Sequence, residues 1–103
     1  MGDPMRIRAT LTENRTEVKI LVRHDMESGQ RKEADGKIIP GHYIQSLVVK
    51  WNDKIVLDSL LGPSVSKDPF ISFKFNGGAK GDKVSVSWSD NKGDSRSDEA
   101  LIA

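Results

Sequence analysis

A chain of 103 residues has room for one hydrophobic core and not two, so residues 1-103 are expected to form a single domain. Sixteen Lys plus Arg stand against fifteen Asp plus Glu, the net charge is +1, and the signs alternate along the chain, which gives no basic footprint for nucleic acid. There is no cysteine, which excludes disulfides, thiolate metal sites and covalent chemistry on a thiol of this chain.

The opening "MGDPMRIRATLTENR" contains no apolar stretch of signal-peptide length, so the chain is expected to carry no export address of its own. Within it Met5, Ile7 and Ala9 alternate with Arg6, Arg8 and Thr10, the period of two that marks a strand with one buried face, near 5–10. Asn14-Arg15-Thr16 fits a glycosylation acceptor, a pattern short enough to arise by chance. A second strand near 16–23 puts Val18, Ile20 and Val22 on one face and Lys19, Leu21 and Arg23 on the other.

Residues 23–44, "RHDMESGQRKEADGKIIPGHYI", make the one long connection and hold both histidines. His24 and His42 are candidate metal ligands, but no motif such as His-Glu-x-x-His supplies the three or four donors a site needs, so they read as strand-end or loop residues. The alternating charges of Glu27, Arg31, Lys32, Glu33, Asp35 and Lys37 suit a polar recognition surface better than a catalytic pocket.

Strands near 42–51 and 54–61 flank Asn52-Asp53, a two-residue hairpin turn whose residue types tolerate positive φ. That turn predicts Trp51 opposite Lys54, Val49 opposite Val56 and Leu47 opposite Asp58. One face of the ribbon then carries Leu47, Val49, Trp51, Val56 and Leu60, and the other Ile44, Val48, Ile55, Leu57 and Leu61. A sandwich needs only one such face for its core. The second is covered either by another chain or by the 24–41 connection, since large apolar patches mark interaction sites.

"GPSVSKDPF" follows, a second candidate recognition loop that includes Lys67, with Pro63 and Pro69 limiting its freedom. Its Ser64 lacks the second glycine of a nucleophile elbow and a following helix. A strand near 69–75 alternates Ile71, Phe73 and Phe75 with Ser72 and Lys74. "NGGAKGD" is a turn; its "GGAKGD" resembles a phosphate loop but lacks the Gly-Lys-Ser/Thr ending and the helix behind it. The strand near 82–89 sets Val84, Val86 and Trp88 against Ser85, Ser87 and Ser89, and "DNKGD" turns the chain into a last strand near 95–101, with Gly93 at the left-handed position. No segment shows ten or more residues with helical spacing, and no apolar run approaches the roughly 20 residues of a membrane-spanning helix. About seven antiparallel strands with turns between them predict an all-β, immunoglobulin-like β-sandwich. Scattered carboxylates on so charged a surface point to solvated faces, and no enzyme, cofactor or metal emerges from the residues.

"HDMESGQRKEADGKIIPGHYIQ", "GPSVSKDPFISFKF" and "GDKVSVSWSDNKGDSRSDEA" resemble the signature stretches of the SoxZ family, and the likeness runs from Asp3-Pro4-Met5-Arg6-Ile7-Arg8 nearly to the C-terminus. Two turn positions depart from the pattern, Asp25 where proline is expected and Asp68 where asparagine is common. The resemblance implies an immunoglobulin-like domain paired with a SoxY-like subunit in the SoxYZ sulfur carrier of thiosulfate oxidation. In that carrier a cysteine on the partner's flexible C-terminal arm bears the sulfur intermediates and visits a cytochrome, a dimanganese hydrolase and a sulfur dehydrogenase in turn. It further implies a periplasmic setting, with export in the company of the partner, and no catalysis by this chain. A stand-alone binding module of the sandwich type is the alternative, with Tyr43 and the two tryptophans as its only aromatic platform.

Overall fold

The computed structural model describes residues 3–103 and contains seven strands: β1 (Arg6–Thr12), β2 (Arg15–Leu21), β3 (Ile44–Trp51), β4 (Lys54–Leu60), β5 (Phe70–Asn76), β6 (Lys83–Asp90) and β7 (Ser95–Leu101). All pairings are antiparallel, and they form a three-stranded sheet of order β1-β2-β5 facing a four-stranded sheet of order β4-β3-β6-β7. This is the expected immunoglobulin-like sandwich. Among the described residues no helix is long and apolar enough to cross a membrane.

Fully buried side chains come chiefly from the strands with neighbours on both sides. Val18 and Ile20 on β2, Leu47 and Val49 on β3, and Val84 and Val86 on β6 alternate inward, as a period of two dictates for strands wet on one face only. The hairpin turns follow backbone chemistry. Asn52 and Asp53 both adopt positive φ (46° and 73°), the requirement of a two-residue turn whose twist matches its strands. β1 runs two residues past its predicted end, because the unpredicted turn at Glu13-Asn14 pairs Thr12 with Arg15. Beyond β7, Ala103 exchanges backbone hydrogen bonds with Ala9 and Leu11 while Ile102 bonds to Asp82 and Gly81. The two sheets are thus clipped together along the β1–β7 side, leaving β4 and β5 as edges.

The register of the β3–β4 ribbon departs from expectation. Trp51 does face Lys54, but Lys50 faces Ile55 and Val49 faces Leu57, so Val56 is an extra residue in a β-bulge and everything beyond it shifts by one. Leu47 therefore opposes Ser59, not Asp58, and Ser46 opposes Leu60. A one-residue slip exchanges the faces of a strand, which moves Leu57 to the core side and Leu60 to the outside.

Candidate functional site

One end of the sandwich gathers three connections around a single carboxylate. Asp90 continues the inward parity of Val84, Val86 and Trp88, so β6 delivers a charge to the core side. Its Oδ2 lies 3.0 Å from His24 Nε2 and 2.7 Å from His42 Nε2, while Oδ1 accepts the backbone N–H groups of Lys92 and Asp94, each at 2.9 Å. Burial alone would raise the Asp90 pKa; hydrogen bonds from His24, the Asp94 backbone, His42 and the Lys92 backbone outweigh it and hold the value at about 2. An ionised carboxylate only accepts, so both histidine Nε2 atoms donate.

The neighbouring contacts extend this arrangement. Met26 N–H donates to His24 Nδ1 at 3.0 Å, which places the single proton of a neutral imidazole on Nε2. His24 also exchanges bonds with Asp68: its own N–H donates to Asp68 Oδ1 at 3.0 Å, and Asp68 N–H donates to the His24 carbonyl at 2.9 Å. Asp68 sits at φ 52°, a conformation that Asp and Asn tolerate better than other residues. Trp88 meets His24 edge-on with ring centroids 5.2 Å apart, closing the cluster from the core side.

His24, His42 and Asp90 have ligand atoms within 4.8 Å of one another, which makes them the candidate metal set. The hydrogen bonding argues against that use. Ligation through His24 Nε2 needs the proton on Nδ1, where the Met26 N–H already points. The geometry is that of a hydrogen-bonded hub joining the 23–43, 61–69 and 90–94 connections. From the sequence the two histidines read as strand-end or loop residues, and Asp90 does not stand out among the scattered carboxylates.

The candidate recognition residues divide. The 24–41 connection doubles back on itself through bridges between Glu27 and His42 and between Lys32 and Ile38, turning at Gly36 (φ 88°). Arg31 grips Glu27 through both oxygens at 2.6 to 3.1 Å, which lowers the Glu27 pKa and raises that of Arg31. Lys32, Lys37, Pro63 and Lys67 are exposed. Pro69 is buried instead, and its carbonyl accepts the Val22 N–H at 2.9 Å, so it anchors the loop rather than presenting it.

The expected partner face also divides. Leu47 and Val49 are fully buried in the chain's own core and are not available to another protein. Trp51 is half-buried against Phe75, with centroids 5.3 Å apart, and its Nε1–H donates to Asp82 Oδ2 at 2.8 Å. Val56, half-buried, occupies the bulge. Leu60 is 86% exposed and Ile55, on the same side, 55%. The 24–41 connection does not cover them. The apolar surface left open is the outer side of edge strand β4, a smaller patch than the linear pattern suggested, because the bulge turned Leu57 inward.

Among family models, the one described as "Sulphur oxidation protein SoxZ" matches residues 5–101, nearly the whole chain. No curated protein matches the sequence.

Proposed function

Because the chain belongs to the SoxZ family of sulfur-oxidation proteins, we propose that it is the non-catalytic half of a heterodimeric sulfur carrier. Its mate is a SoxY-like subunit, whose C-terminal cysteine bears the covalent intermediates of thiosulfate oxidation. The family places the chain in sulfur oxidation; the pairing and the carrier mechanism are our reading. The observation that carries it is edge strand β4, which among the described residues has no neighbour on one side and keeps Ile55 and Leu60 in solvent. An open apolar edge is a hazard for a solitary sandwich and a natural seam for a permanent partner. The lack of any thiol supports the division of labour, since sulfur must then ride on another chain. In this reading the loop end organised by Asp90 faces the pathway's other enzymes, and the pair works in the periplasm, exported together.

Burying Ile55 and Leu60 against a partner is worth about 4 kcal/mol together, equivalent to roughly 10³ in Kd. The double substitution Ile55→Asp, Leu60→Asp is therefore expected to weaken pairing at least about 100-fold while leaving the melting temperature of the isolated chain nearly unchanged. Co-expression with a cysteine-tailed SoxY-like subunit, followed by gel filtration and intact mass, reads the result. A wild-type chain that elutes alone, or a variant that pairs as tightly as wild type, would refute the assignment.

A further inference from the structure

The outer face of the β1-β2-β5 sheet concentrates charge that the linear sequence disperses. Strand pairing sets Arg6, Leu21 and Phe70 in one row, Arg8, Lys19 and Ser72 in the next, then Thr10, Glu17 and Lys74, and finally Thr12, Arg15 and Asn76. Inward residues alternate with these, so the outward positions of the three strands hold five cations (Arg6, Arg8, Arg15, Lys19 and Lys74) and one carboxylate, Glu17, while Glu13 at one end and Asp98 and Glu99 of β7 beside Arg6 and Arg8 border the face. The chain nets only +1, so the rest of the molecule is acidic on balance. Lys19 reaches Glu17 at 3.8 Å; the other four cations make no ion pair among the described residues.

Two details give this face the character of an interface. Arg8 and Lys19 stand directly opposite each other, and like charges facing across a strand pair destabilise a sheet unless a counter-charge is supplied. At one end Phe70 is 62% exposed beside Leu21 and Arg6. An exposed aromatic ring in the same row as an arginine is the kind of composition that protein interfaces favour at their anchors.

We propose that this face docks an acidic surface of a second protein, with an apolar side chain of that partner seated on Phe70 and Leu21. The proposal is independent of the pairing through β4, which lies in the opposite sheet. Single-stranded nucleic acid fits less well, because stacking needs successive rings along the cationic track and, among the described residues, Phe70 is the only ring on this face, at its corner. A membrane fits less well for the same lack of several apolar side chains to insert.

Amide chemical-shift mapping of the full chain tests it, with a synthetic peptide of glutamates around one central leucine as the probe. The expected result is perturbation confined to residues 6–12, 15–21 and 70–76, with affinity falling on the order of tenfold between 50 and 200 mM NaCl. Arg8→Glu with Lys19→Glu abolishes binding; should that pair not fold, Arg8→Gln with Lys19→Gln weakens it at least several-fold. Phe70→Ser removes the preference for this peptide over one without leucine. Perturbation centred elsewhere, or indifference to Phe70, overturns the proposal. So does tighter binding at this face of an oligothymidylate of equal charge or of phosphatidylglycerol vesicles, each of which assigns a different partner.

Discussion

Replacing Asp90 by alanine is expected to destabilise the chain by about 3 kcal/mol, lowering its melting temperature by on the order of 15 °C. The carboxylate accepts four hydrogen bonds, two from histidine rings and two from the backbone of its own hairpin, and it is buried. Donors to a charged acceptor are costly to orphan, and those that reopen to water, such as the partly exposed His42, recover part of the loss. The loss should be local in its consequences. Amide protection should fall first at Met26, whose N–H is held by His24 Nδ1, and at His42 and Glu27, which bridge the same connection. Asp90→Asn keeps one oxygen for the Lys92 and Asp94 amides but turns an NH₂ toward two imidazole donors, so an intermediate cost is expected.

The pH dependence has a definite sign. The folded pKa of Asp90, about 2, lies below its ordinary 3.8, so the charge contributes about 2 kcal/mol that is fully present above the ordinary value and is lost as pH falls toward the folded one. The stability difference between wild type and Asp90→Ala should therefore be largest near neutrality and shrink between about pH 5 and pH 2. Urea unfolding of both proteins at several pH values measures it. A difference below about 1 kcal/mol at pH 7 would show that the three connections are held by other contacts.

Strand periodicity is open to reading in β1, β2, β5 and β6, whose wet faces are written in the chain mostly as polar or charged residues at every second position. The register is not, since Ile55-Val56-Leu57 is apolar at three consecutive positions and either parity serves the core. That run was itself the available sign of a bulge. Asp90 is hard to read for a different reason: its partners lie 48 and 66 residues away, and only the fold joins them. A signal did exist, since a carboxylate at the inward parity of Val84, Val86 and Trp88 must find partners or lose its charge. The basic sheet face was hidden by averaging. Charges that alternate in sign along the chain sort by side once every second residue points the same way and three strands align.

Gly78→Ala is expected to cost about 3 kcal/mol or more, although the change adds one methyl group in a turn. Gly78 adopts φ 100°, where side chains other than hydrogen are strained, and a Cβ there would fall well inside van der Waals contact of Thr16 Oγ1 and close to Ile102 Cδ1. Thr16 cannot step aside freely. It is fully buried on β2, β-branched, and its hydroxyl donates to the Gly77 carbonyl at 2.8 Å, so relief of the clash breaks a hydrogen bond that water cannot replace. This contact binds the 76–82 turn to the central strand of the basic sheet, and Trp51 lies against neighbouring Gly77. The double variant Gly78→Ala, Thr16→Ala separates the two causes by denaturant unfolding. If the hydroxyl collision dominates, the double variant is more stable than Gly78→Ala alone, despite losing a buried side chain. If backbone strain dominates, the two costs add and no recovery is seen. Wild-type stability in Gly78→Ala itself would mean that the turn relaxes away from β2 at no cost, and the close packing of Gly78 on Thr16 would then have no energetic role.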